Sequence, residues 1–235
     1  MPAARRNGCG DSYVGKFMTL AIVTLVAAMA QPVSWSGSPV WRADSADAAH
    51  LRTVFHKVDI TLTQDSARYV AKTLYKNTGN VALTGQLLVP VIGKDATDDW
   101  FKTEVKAKWG DAPLMTQGLE NEPNGARWHR FKVSLDRGEW KAFESTLTRP
   151  LNKSGEGWAE RFVTYLMQPC DDTLEQFQLS IKYPRGFVFQ TVAVSPNFGW
   201  QVGETGAFYS KKNWLPGKTA FRFQFYPGTF EKIGR

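Results

Sequence analysis

From residue 53 onward the chain keeps returning to one pattern, in which apolar and polar side chains alternate. In "FKTEVKAKW" (101–109), Phe101, Val105, Ala107 and Trp109 share one parity, and Lys102, Glu104, Lys106 and Lys108 the other. "EQFQLSIKY" sets Phe177, Leu179, Ile181 and Tyr183 against Gln176, Gln178, Ser180 and Lys182. "HRFKVSL" and "FRFQF" repeat the alternation with Phe131, Val133 and Leu135, then with Phe221, Phe223 and Phe225. A period of two sends successive side chains to opposite faces of a strand, whereas an amphipathic helix repeats every 3.6 residues. The chain is therefore read as all-β.

Val58, Ile60 and Leu62 begin the series, and "NVALTGQLLVPV" places Val81, Leu83, Leu87, Val89 and Val91 on one face. Weaker runs at 67–76, 141–148, 159–167 and 186–195 bring the expectation to roughly ten strands. "YKNTGN", "DRGEW", "YPRGF", "SPNFGW" and "WLPGK" separate them with turn-forming residues. One-face-apolar strands divided in this way predict an antiparallel sandwich. The only competing helical segment is a short one around 158–167. A single domain over 53–235 is expected, the alternative being two packed halves, 53–150 and 158–235.

The first thirty residues read differently. Arg5, Arg6 and Lys16 precede the apolar run "FMTLAIVTLVAAMA", which ends in Ala28-Met29-Ala30. A basic leader, a short apolar stretch and an A-x-A end read as an export signal, cleaved or retained as an anchor. The run is shorter than the roughly 20 residues a membrane-spanning helix needs. Residues 17–33 could hold the protein at a membrane, and the domain is expected outside the cytoplasm, in the periplasm or at the cell surface. Residues 31–52, rich in Ser, Gly, Pro and Ala, read as a linker in which Trp35 and Trp41 would lie near the bilayer. The net charge of +7 suits anionic envelope surfaces, and nucleic acid is not an expected partner of an exported chain.

Two stretches resemble a known kind of module. "ARYVAKTLYKNTGNVALTGQLLVPV" is similar to the strand–"NTG"–strand hairpin of bacterial extracytoplasmic immunoglobulin-like modules, and "NWLPGKTAFRFQF" resembles their closing strand. The resemblance implies an immunoglobulin-like β-sandwich and, at Asn77-Thr78-Gly79, a turn in which Gly79 takes a positive φ. It carries no site residues, because such modules serve many roles.

Chemistry is sparsely signalled. No G-x-S-x-G, H-E-x-x-H or nucleophilic-cysteine signature occurs, and Cys9 and Cys170 are the only cysteines. The pairs Asp98-Asp99 and Asp171-Asp172 sit in apparent turns. His50 would bind copper only as a mature N-terminus, with His56 or His129 beside it, and the cleavage this requires fits poorly. His56 and His129 share the parity of apolar neighbours and read as packing residues. No cofactor or metal is expected.

The aromatic content, with nine Trp, fifteen Phe and seven Tyr, is more informative. Trp200 and Trp214 fall in turn-rich stretches, and Trp128 and Trp140 off the parity of the apolar faces. Such residues anchor protein interfaces or stack on sugars. The expectation is a non-enzymatic exported protein that binds protein partners of the envelope or membrane through Trp200 and Trp214. A polysaccharide-binding module and a periplasmic metal handler are the alternatives.

Overall fold

The computed structural model describes residues 35–44, 49–63, 66–92, 105–121, 126–153, 161–170, 172–184, 194–196 and 198–225. The chain divides into two compact units, Met1–Pro32 and Val33–Arg235, and every described residue belongs to the second. The leader and its apolar run thus lie outside the described residues. Among the described residues no helix is long and apolar enough to cross a membrane.

Strands follow one another along the chain. The first five are β1 (Trp35–Gly37), β2 (Val40–Ala43), β3 (Leu51–Leu62), β4 (Ser66–Asn77) and β5 (Leu83–Ile92). Next come β6 (Lys106–Trp109), β7 (Ala112–Leu114), β8 (Leu119–Asn121), β9 (Ala126–Leu135), β10 (Trp140–Pro150) and β11 (Asn152–Lys153). The last are β12 (Arg161–Met167), β13 (Leu174–Lys182), β14 (Val194–Ser195), β15 (Trp200–Val202), β16 (Gly206–Trp214) and β17 (Thr219–Phe225). They form two sheets. A nine-stranded sheet runs β14-β17-β12-β1-β5-β9-β8, with β2 also on β5 and β11 on β12. An eight-stranded sheet runs β15-β16-β13-β3-β4-β10-β6-β7.

The alternation read from the sequence is the packing of these sheets. Phe177, Leu179 and Ile181 point into one core with Phe131, Val133, Leu135, Phe221 and Phe223 of the opposite sheet. Two parallel pairings, β3 with β13 and β1 with β12, join early and late strands within each sheet. The described residues of 53–150 and of 158–235 therefore share both sheets and one hydrophobic core.

Three expectations change. The stretch 31–52 is not all linker, because β1 and β2 lie within it and β3 begins at Leu51. Strands of three and four residues leave no period to read, yet β1 finds backbone partners on both sides, in β12 and β5. The helical option around 158–167 gives way to β12, whose Phe162 to Met167 are all buried. A strand covered on both faces loses its alternation, which is why it was ambiguous. The outer face of the nine-stranded sheet buries Leu88 and Trp128 as well, with Val40 packed on them.

The Asn77-Thr78-Gly79 turn forms by another route than the one expected. Gly79 is not among the glycines with positive φ. Instead the Asn77 carboxamide accepts from the Gly79 N–H (2.9 Å) and donates to the carbonyls of Val81 (2.7 Å), Leu135 and Asp136. A Cβ at Gly79 would stand 3.0 Å from His50 Cβ, so a side chain there would require the exposed His50 to give way slightly.

Candidate functional site

Trp200 opens β15 and Trp214 closes β16, so both stand at one margin of the sandwich. There the chain passes from β14, an edge of the nine-stranded sheet, to β15, an edge of the eight-stranded one. The Trp200 ring lies 5.5 Å from Tyr209 and 6.3 Å from Phe223, and its indole N–H donates to the Pro196 carbonyl at 3.0 Å. Trp214 packs on Phe177 at 5.1 Å, and Phe177 stacks across the sheets on Phe221 at 5.0 Å. These rings close the open side of the core. Both tryptophans are half-buried.

Outside this aromatic wall lies an apolar rim. Phe198 is 63% exposed, Leu215 59% and Val202 50%. Lys211 sits opposite Phe177 in the register of β16 with β13. Its ammonium stands 5.3 Å from the Trp214 ring and 5.9 Å from the Phe198 ring. The aliphatic stem can cover apolar surface while the charge faces two π systems, an arrangement that leaves the ammonium able to meet a carboxylate. Apolar area, aromatic anchors and one cation are what a protein contact uses.

Sequence reading located the tryptophans and missed Phe198 and Lys211. The signal for Phe198 was the turn "SPNFGW", in which Gly199 takes φ 83° next to the exposed ring. Lys211 could be placed only once β16 was registered on β13.

The remaining sequence candidates are scattered. Trp128 is buried at 8% exposure on the outer face of the nine-stranded sheet, so it offers no stacking surface. Trp140 is 48% exposed at the start of β10, with the Lys76 ammonium 4.3 Å above its ring. Trp41 is no membrane anchor, because its ring packs inward on Tyr75 (5.7 Å) and Trp109 (6.1 Å). Gly85 permits this, since a Cβ there would lie 2.8 Å from Trp41 Nε1 and 2.6 Å from the Arg42 carbonyl. Trp35 is the first residue of β1, and its side chain lies outside the described set.

His50 is exposed beside the Asn77 turn, where its carbonyl accepts from the Thr78 N–H and hydroxyl. His56 is fully buried, its Nδ1 2.8 Å from Thr73 Oγ1 and its Nε2 2.7 Å from Tyr165 Oη. Both ring nitrogens of His56 are held in hydrogen bonds inside the core, whereas His50 stands exposed at the surface. Burial pushes its pKa down to about 3, which keeps the ring neutral. His129 packs on Phe131 at the end of the core. Among the described residues no group of three or more His, Cys, Asp or Glu could hold a metal ion.

Charged groups serve the framework. Burial pushes the Tyr69 hydroxyl up to about 12, partly offset by nearby Arg149, and brings buried Arg149 down to about 10, still cationic at neutral pH. Glu139 is held below the usual carboxylate range by the Asp136 N–H first and by Lys141 second. Asp172 pairs with Arg52 at 3.5 Å, while Asp98, Asp99 and Asp171 lie outside the described residues.

Neither sequence comparison places the chain. No family model matches it, and no curated protein matches it. Solved structures resemble it to differing degrees. A candidate nutrient-binding protein from Legionella pneumophila matches with a TM-score of 0.56 at 11% identity, over 82% of this chain and 71% of that one. A leukotriene A4 hydrolase from yeast, solved with bestatin, gives 0.44 at 12% identity, over 78% of this chain and 29% of its own. An M1 zinc metallopeptidase from Deinococcus radiodurans gives 0.38 at 8% identity, over 75% and 42%. At these identities the first likeness speaks for the all-β fold alone, and the two peptidase likenesses are too low to carry an argument.

Proposed function

We propose that the protein is a non-enzymatic binding subunit that works by protein–protein contact within a membrane or cell-surface assembly. The contact surface is the aromatic rim formed by Phe198, Lys211, Trp214 and Leu215. The observation that carries this reading is the exposure of Phe198 and Leu215 on a wall of packed rings, beside a cation held between two of them. Isolated apolar residues on a surface need no explanation, but a cluster of them at an aromatic margin marks an interaction site. The description of the Legionella fold neighbour as a candidate nutrient-binding protein agrees with a binding role.

The placement outside the cytoplasm rests on the leader "FMTLAIVTLVAAMA" and its basic flank. The immunoglobulin-like character rests on the Asn77-Thr78-Gly79 hairpin and the closing strand "FRFQF". Stacking of sugars on a tryptophan platform is the weaker reading, because Trp128 is buried and Trp200 is half-buried under its neighbours.

The test compares the native protein with a Phe198→Ser, Leu215→Ser variant, each recovered from separated membrane and soluble fractions with intact-mass analysis. A partner that copurifies with the native protein and is lost from a folded variant supports the reading. Identical copurification would overturn it.

A further inference from the structure

We propose that the outer face of the eight-stranded sheet binds an acidic polysaccharide, a carboxylate-bearing sugar chain lying across β3, β4, β10 and β6. This surface is separate from the aromatic rim and does not depend on its role.

The face is strongly biased toward positive charge. Arg68, Lys72, Lys106, Lys108, Lys182 and Lys212 are all exposed on it, with Lys57 and Lys76 half-exposed. The register sets part of this charge in a row. Lys57 of β3 stands directly opposite Lys72 of β4, Lys72 opposite Glu144 of β10, and Glu144 opposite Lys108 of β6. Strands are about 4.8 Å apart, so Lys57 and Lys72 are one step apart and Lys72 and Lys108 two. Lys106 and Asp59 lie in the next row of the same face.

Like charges directly opposite one another weaken a sheet, so the Lys57–Lys72 pair has a cost that folding does not explain. Asp59 answers Lys57 at 2.9 Å. Glu144 is the other carboxylate of this group, and among the described residues it closes no ion pair with Lys72 or Lys108. Lys72 and Lys108, two strands apart with Glu144 between them, thus offer their ammonium groups to an outside anion.

What surrounds the cations separates a sugar chain from a lipid surface. Gln178, Ser180, Thr61, Thr146 and Thr148 fill the same face with amides and hydroxyls. Of the exposed large apolar side chains among the described residues only Trp140 belongs to it, at one end of β10 and under the Lys76 ammonium. A surface that lies on a bilayer needs apolar side chains to insert, and the middle of this face has none that are fully exposed. Phe55, Val70 and Leu74 are only half-exposed between the cations, and hydroxyls, amides, cations and aromatic rings together match a polyuronate.

Affinity electrophoresis through polygalacturonate, with dextran as the neutral gel, tests the proposal. The native protein is expected to be retarded by polygalacturonate and not by dextran. Lys72→Glu, Lys108→Glu should weaken that retardation at least tenfold. Lys132→Glu, on the outer side of the other sheet, should leave it unchanged. If the charge-reversed pair fails to fold, Lys72→Gln, Lys108→Gln serves in its place. Equal retardation of all variants, no retardation of the native protein, or binding to phosphatidylglycerol vesicles without binding to the polymer would each overturn the proposal. Retention by the Phe198→Ser, Leu215→Ser variant keeps this result distinct from the fate of the rim.

Discussion

His56 Nε2 on β3 lies 2.7 Å from Tyr165 Oη on β12, a hydrogen bond that crosses from one sheet to the other through the core. The imidazole also stacks on Phe177, with ring centroids 6.0 Å apart, and reaches Thr73 on β4 through its other nitrogen. Thr73, Tyr165 and Phe177 present no carboxylate to it, so nothing compensates a charge there. A neutral, fully hydrogen-bonded histidine fixes how the sheets face each other.

Acid should therefore weaken the fold through this residue. The unfolded chain protonates His56 near pH 6.5, the folded protein only near 3. Between those values the unfolded state binds more protons, so stability falls as pH drops through the window, at up to about 1.4 kcal/mol per pH unit. Above pH 6.5 the contribution is complete. Urea midpoints measured between pH 7 and pH 4 should fall more steeply for the native protein than for His56→Gln. Parallel slopes would rule the account out.

Tyr165→Phe keeps the ring and removes the hydroxyl. One nitrogen of His56 then loses its partner in a dry site, which costs about 1–3 kcal/mol. The urea midpoint should drop accordingly. A change within error would mean that His56 finds another partner.

Two tryptophans that looked alike in the sequence should behave oppositely. Trp128→Ala removes a buried ring packed with Leu88 and should cost about 3–5 kcal/mol. Trp140→Ala removes an exposed ring whose main contact is Lys76, and should stay within about 0.5–1 kcal/mol. Thermal unfolding of the two variants side by side gives the comparison.

Gly85→Val puts a side chain where the Arg42 carbonyl and Trp41 indole already stand, at 2.6 and 2.8 Å from its Cβ. The pairing of β2 with β5 must shift or open, at about 1–3 kcal/mol. Trp41 should leave Tyr75 and Trp109, which red-shifts the tryptophan emission. An unshifted spectrum with native stability would contradict the packing described for β2.

Much of the fold was legible because alternation is a local property. Phe131, Val133 and Leu135, or Phe177, Leu179 and Ile181, announce their buried face without reference to any partner. Where burial is not one-sided the reading failed, as at β12, whose two covered faces left a helix in contention. Val81, read with the apolar face of its run, is instead 44% exposed ahead of β5. The candidate site was half legible. Trp200 and Trp214 were visible as aromatics in turn-rich stretches, but parity alone did not show that Trp128 is buried on the outer face of its sheet while Trp140 is exposed.

By itself, then, the amino-acid sequence determined an all-β chain, the inward residues of its long strands and the absence of familiar catalytic motifs. Those follow from side-chain type and a two-residue period. Only the tertiary structure decided that β1 slots between β5 and β12, that β13 lies parallel to β3, and that Phe198, Lys211 and Trp214 meet at one margin. It also decided which polar residues would be buried, placing His56 against a tyrosine 109 residues away. Such pairings are settled by which sheets can close over a shared core, and that depends on the whole chain at once.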